Sequence, residues 1–203
     1  NKRAKELGCL YSISEMVGRY EISLGALLQA SARLLALAYQ FPDMAACRIT
    51  WGEQAYSTDN WRETPWSQEC AILVHGERAG RIQVCYLQER PERAEGPFLA
   101  EERNLVNTVA DLLGRAIERK QAKELIELEK VRLQAQLELH ELVDAPTDRL
   151  FDSVLEALTK TTTSQFAFIG LLDQAEAVMT IHAWSKGAMA QCTIETKPVR
   201  FPI

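Results

Sequence analysis

Cysteines come first, because a thiolate is the strongest nucleophile and the softest metal ligand that a chain offers near neutral pH. There are five, Cys9, Cys47, Cys70, Cys85 and Cys192. None is spaced C-x-x-C with another and none crowds a neighbour, so neither a zinc site nor a disulfide framework is indicated. Thiol catalysis needs a low-pKa attacking cysteine with a resolving partner and a cation in reach. Cys47 and Cys85 fall inside alternating, strand-like segments and Cys70 begins one, which reads as reduced core thiols. No catalytic residue and no metal ligand is assigned. A second group is aromatic and basic: Trp51, Trp61, Arg62, Trp66 and His75. Such side chains line small-molecule pockets, although their rings serve equally well in plain packing. A third group, His182, Trp184, Lys186 and Cys192, gathers on or near a strand end, where functional loops commonly sit. The pair Gly76-x-x-x-Gly80 reads as a turn and not as a phosphate cradle, because no helix follows it.

The elements that must position these residues follow from periodicity. An opening helix is expected over residues 2–17, with Leu7, Leu10, Ile13 and Val17 on one stripe. A second runs over residues 23–39, capped by Ser23, with Leu24, Leu27, Leu28, Leu34, Leu35 and Ala38 buried and Pro42 ending it. Cys47, Ile49 and Trp51 alternate with Arg48 and Thr50 as a half-buried strand that turns at Gly52 and returns through residues 54–57. Residues 69–75 and 81–87 form a hairpin across G-E-R-A-G, residues 76–80. From about Phe98 a helix is expected to run to about residue 143, roughly 65 Å at the α-helical rise, too long for one globular body.

That helix changes character along its length. Val106, Val109, Leu113 and Ile117 recur every three or four residues and can pack on a sheet or a partner helix. Leu125, Leu128, Ala135, Leu139 and Leu142 continue a 3-4 seam with Arg132 at one seam position, as in a parallel two-helix coil. These ten residues are the expected dimer helix. Arg132 is its weak point, and Arg132→Leu is expected to tighten self-association. Residues 148–158 then form a short helix, residues 166–171 a strand, a second strand ends at Trp184, and a polar loop begins at Ser185. Two strands do not make a stable sheet, so this half reads as the opening of a domain completed beyond Ile203.

The formal net charge of −5 is spread through interspersed acids and bases, which argues against a nucleic-acid surface. The longest apolar run, residues 34–39, is far too short to span a bilayer, and the N-terminal NKRAKELG lacks the apolar stretch of a signal peptide. A cytoplasmic location is expected.

The order of helix, helix, strand, strand, loop, hairpin and long helix, with Arg48-Ile49, R-E-T-P-W at residues 62–66, G-R-I-Q-V at 80–84 before Tyr86, G-P-F-L-A-E-E-R at 96–103 and A-I-E-R at 116–119, resembles GAF domains of bacterial sensor histidine kinases. T-I-H-A-W-S-K-G-A-M-x-x-C at residues 180–192 resembles the early part of a second GAF domain. The resemblance implies an α+β fold, an antiparallel sheet with helices on one face, a long C-terminal signalling helix and a partial second GAF domain. Expected boundaries are 1–120 for the first domain, 121–145 for a coiled-coil-like connecting helix and 146–203 for the truncated second domain.

By that resemblance the chain is a non-catalytic sensory module of a cytoplasmic two-component protein, a homodimer relaying a signal through the helix, with the kinase domains outside this segment. The alternatives are a ligand-free dimerisation scaffold or a thiol enzyme like the GAF-fold methionine sulfoxide reductases. The ligand and any cofactor stay unknown. The N-K-F-D-E motif of cyclic-nucleotide-binding GAF domains is absent, and no cysteine suits a bilin. His140-Glu141-Leu142 resembles a phosphoacceptor box, yet Pro146 stands one residue too far and no second long helix follows, so His140 reads as an ordinary helical residue.

Overall fold

A computed structural model describes residues 2–19, 22–142, 145–175, 177–191 and 199–202. The fold is α+β, with two antiparallel sheets and one long helix. The chain divides into two compact units, Asn1–Gln121 and Ala122–Ile203.

In the first unit, α1 (Lys2–Gly18) and α2 (Leu24–Ala38) precede a four-stranded sheet. The Ser23 hydroxyl accepts the Ala26 amide at 3.2 Å and so caps α2. This helix stops at Ala38, before Pro42, which instead opens a 3-10 turn, Pro42–Met44. That fits the tolerance of proline in a first turn, where its missing N–H costs nothing. The strands β1 (Ala45–Trp51), β2 (Gln54–Ser57), β3 (Ser67–Val74) and β4 (Glu77–Tyr86) lie in the order β2-β1-β4-β3, every neighbour antiparallel.

The β3–β4 connection is tighter than G-E-R-A-G suggests. Val74 pairs with Glu77, leaving only His75 and Gly76 in the turn, at φ 53° and 81°. Both central residues have positive φ, the signature of a type I′ turn whose twist matches the strands. Gly80, read from sequence as the end of the turn, sits inside β4 opposite Ile72.

Helix α3 (Ala100–His140) is continuous through 41 residues and ends shortly before the residue 143 expected. Its stripe of Val106, Val109, Leu113 and Ile117 is fully buried in the core of the first unit, with Ile13, Leu28, Leu35, Ile49, Ile72 and Ile82. These four residues are therefore spent inside their own unit, which corrects their assignment to a dimer seam. Burial on this scale is the main stabilising term of the unit.

In the second unit α4 (Thr147–Thr162) is longer than the sequence suggested and ends with Thr163 in the left-handed region. β5 (Phe168–Leu172), β6 (Val178–Trp184) and β7 (Val199–Pro202) form a sheet in the order β5-β6-β7. The expected pair of strands is thus a three-stranded sheet, and Ser185 does not open a loop but caps a short helix, α5 (Lys186–Gln191). Among the described apolar side chains of this unit only Leu155 and Ile181 are buried, while Phe166, Phe168, Leu171 and Leu172 stay largely exposed. No helix among the described residues is long and apolar enough to cross a membrane.

Candidate functional site

The first unit grips α3 at four places, and the grip begins with a buried carboxylate. Glu102, 0% exposed, accepts the Gln40 amide at 2.7 Å and the Tyr86 hydroxyl at 2.9 Å on Oε1, and the Leu99 amide at 2.8 Å on Oε2. The Leu99 bond is half of a capping box, a third-position glutamate reaching back to the amide that precedes the helix. The other two tie the end of α2 and strand β4 to the same group. A buried charge is tolerated only when hydrogen-bonded, and the helix N-terminus adds a favourable dipole. Around it, Tyr86 stacks on Phe98 at 5.0 Å between ring centroids, and Tyr39 meets both edge-on.

Further along, the backbone of Leu73 approaches Gly114 so closely that an added Cβ would lie 2.3 Å from the Leu73 carbonyl oxygen. The His75 amide, in the hairpin turn, donates to Glu118 at 2.6 Å. Lys120 donates to the Ile22 carbonyl at 3.1 Å. Past Lys120 the grip ends, and every residue from 121 to 134 is exposed. Glu102 escaped the sequence reading because acids in a first helical turn are ordinarily solvated partners of the dipole. Its third-position spacing from Leu99 was the one available signal.

The described thiols are Cys9, Cys47, Cys70 and Cys85, all of them free. Cys47 lies in the core and is 0% exposed; burial raises its pKa far above the ordinary thiol value, and the nearby Cys85 and Cys9 add to this. Burial pushes Cys9 up to about 12. Cys85 takes the opposite face of the sheet, one residue out of register, and its Sγ donates to the Arg62 carbonyl at 3.3 Å. Cys70 and Cys85 are both raised, again chiefly by burial. Cys192 lies outside the described residues. Among the described residues no cluster of His, Cys, Asp or Glu could hold a metal ion.

The five pocket candidates of the first unit are not gathered. Trp51 ends β1, paired with Gly80 and packed on the core, and His75 is exposed in the turn at that end of the β3–β4 hairpin. Trp61, Arg62 and Trp66 belong to the opposite end. There Arg62 donates to the Leu87 carbonyl at 2.9 Å, Thr64 donates to Tyr86 at 2.9 Å, and Trp66 packs on the core. Arg62 is therefore a strut that fastens the 58–66 loop to the end of β4.

In the second unit His182 contacts the Phe151 ring at 6.2 Å and Trp184 contacts Phe168 at 5.8 Å. Trp184 also lines a cleft of about 270 Å³ with Asp152 and Glu156 of α4 and Lys186 of α5. Its indole Nε1 is buried and has no acceptor among the described residues. Ser185, 8% exposed, accepts the Ala167 amide at 3.1 Å and the Ala188 amide at 3.3 Å. His140, near the end of α3, is exposed.

No family model matches the chain. Over 86 residues, 42% of its length, it is 30% identical to the methyl sulfide methyltransferase-associated sensor of Methanosarcina acetivorans, of which the match spans 9%. The chain is therefore similar to a small part of a protein named as a sensor, and a sensory role in general is consistent with that likeness.

Proposed function

We propose that the chain is a non-catalytic sensory and transmission segment of a signalling protein, built from one GAF-type domain, a helix that leaves it and part of a second such domain. The observation that carries this reading is the division of α3: it is gripped from Glu102 to Lys120, then continues as a helix to His140 with Leu125, Ile126, Leu128, Leu133 and Leu137 uncovered. A helix so held passes any repacking of the sheet or of the Glu102 network directly to its free portion. The relay works through a homodimer of that portion, with two helix arrangements of which the signal favours one.

The likeness to a named sensor supports the sensory part, and a cytoplasmic two-component histidine kinase is the parent that suits it best. The raised thiols favour this reading over a thiol enzyme, since little thiolate exists near neutral pH. Sedimentation equilibrium on the chain is the direct test. A dimer is expected; a monomer at every concentration tried would remove the relay.

A further inference from the structure

We propose that the helix-free face of the first unit's sheet docks an extended acidic segment of a partner protein, with carboxylates at alternate residues against Arg48 and Arg81. The strands bury their other face: Cys47, Ile49, Ile72, Val74, Ile82 and Val84 all belong to the core with α1, α2 and α3. Register then fixes what the opposite face carries. One row runs Ser57, Arg48, Gln83 and Glu69 across β2, β1, β4 and β3, and the next runs Ala55, Thr50, Arg81 and Ala71. Arg78, brought opposite Leu73 by the bulge after Ile72, joins them and pairs with Glu69 as Arg81 does. Among the described residues the 58–66 loop covers this face at one end, where Ala46 and Cys85 are buried and the Cys85 thiol meets the Arg62 carbonyl. Away from that end the face is open, with the side chains of Arg78 and Arg81 58% and 41% exposed.

Charge on this face is unbalanced. Its strands present three arginines and one carboxylate, on a chain whose formal net charge is −5; Glu53 and Asp59 lie outside it, in the connections that follow β1 and β2. Glu69 stands 3.3 Å from Arg78 and 3.5 Å from Arg81, exposed pairs of the kind that contribute little and yield to a competitor. Arg48, half-buried, has no ion pair among the described residues. Spacing matches the proposed occupant. Arg48 and Arg81 are diagonal neighbours on adjacent strands, about 7–8 Å apart, and alternate side chains of an extended peptide are about 6.5–7 Å apart on one side. A peptide crossing β1 and β4 obliquely thus offers one carboxylate to each guanidinium, whose planar fork accepts it bidentately. Nucleic acid suits the face less well, because Trp51 and Tyr56 belong to the core-packed side and leave no ring on which a base could stack. This partner surface goes beyond the helix relay and does not depend on it.

The test is fluorescence anisotropy of a fluorescein-labelled octapeptide of alternating glutamate and serine, titrated with the full chain at low salt. Saturable binding tighter than about 1 mM is expected, weakened by added salt and lost when glutamine replaces glutamate in the peptide. Arg48→Gln and Arg81→Gln should each weaken it about fivefold, whereas Glu69→Gln, which frees two arginines, should tighten it about threefold. The Arg81 side chain is 41% exposed, so its variant keeps the test valid if that of half-buried Arg48 misfolds. No saturation by about 1 mM chain, equal binding of the glutamine peptide, or indifference to both Arg81→Gln and Glu69→Gln would each overturn the proposal. Tighter binding of an oligothymidine or of phosphatidylserine vesicles, lost in the same arginine variants, would also overturn it, by giving the face to a nucleic acid or a membrane.

Discussion

Glu102 has no counterpart among the residues that composition or spacing singles out, yet three donors from three parts of the first unit depend on it. Glu102→Ala would leave the Gln40 and Leu99 amides and the Tyr86 hydroxyl without an acceptor, a loss of about 2–4 kcal/mol. Denaturant unfolding should show it. Glu102→Gln should recover part of that, because an amide oxygen still accepts from one side while its NH₂ group opposes a donor on the other. Equal stability of the two variants would mean that side-chain volume matters more than the acceptors. Cys9 makes a second prediction, in pH. Burial raises its folded-state pKa to about 12 from an ordinary value of 9.0. A raised pKa contributes stability that is fully present below the unfolded value and lost as pH climbs towards the folded one. The first unit should therefore weaken from about pH 9 upward, by at most about 1.4 kcal/mol per pH unit from this single group. Cys9→Ala should be less stable at neutral pH but show a shallower alkaline decline, as read from melting temperatures across that range.

Among the elements, α3 owes its position to a contact that a side chain would prevent. Gly114→Ala brings a methyl group to 2.3 Å from the Leu73 carbonyl oxygen, so helix and strand must part. A cost of about 2 kcal/mol follows from overpacking of this kind, in spite of the better helix propensity of alanine. It should appear as a fall of about 5–15 °C in the melting temperature of the first unit; an unchanged or raised value would mean that β3 yields easily at its bulge after Ile72. The same elements show what the chain reveals by itself. The stripe Val106, Val109, Leu113 and Ile117 and the alternation of Cys47, Ile49 and Trp51 were legible because half-buried helices and strands repeat at periods 3.6 and 2. The hairpin turn was misplaced by its glycines: His75 takes a positive φ that composition gives no reason to expect. α5 was hidden by its shortness and by Gly187, and β7 by its four residues ending in Pro202. The pocket candidates rested on residue type and on their expected places at loops and strand ends. Type cannot tell a lining ring from a packed one, and the structure sends Trp51 and Trp66 to the core and leaves Trp184 at a cleft.

The two halves of the chain differ in how much apolar surface they cover, and that difference bears on where the second copy of the proposed dimer would sit. On α3 beyond Lys120 the uncovered side chains fall on two nearly opposite stripes, one through Leu125, Leu128, Arg132, Ala135 and Leu139, the other through Ile126, Leu133 and Leu137. The first is partly taken within its own unit: Ala135 and Leu139 are half-buried, and α4 lies alongside, a groove being lined by Val131, Gln134 and Ala135 from α3 and by Ser153 and Ala157 from α4. Leu142 falls in the turn after the helix. The second stripe is bare, with Ile126 at 65%, Leu133 at 61% and Leu137 at 60% exposure. A parallel two-fold pairing on the first stripe sets Glu124 of one copy against Glu129 of the other, a repulsion. The second stripe carries Lys130 at a seam position between Ile126 and Leu133, as the first carries Arg132, so exposure and not seam charge separates the two. The dimer face is accordingly expected on Ile126, Leu133 and Leu137, with Arg132 pointing away from the partner. Leu133→Glu should then weaken the dimer at least tenfold in sedimentation equilibrium, while Arg132→Leu should leave the dissociation constant within a factor of two. Tightening by Arg132→Leu together with indifference to Leu133→Glu would restore the seam through Leu125 and Leu128 and require α4 to leave it when the copies pair.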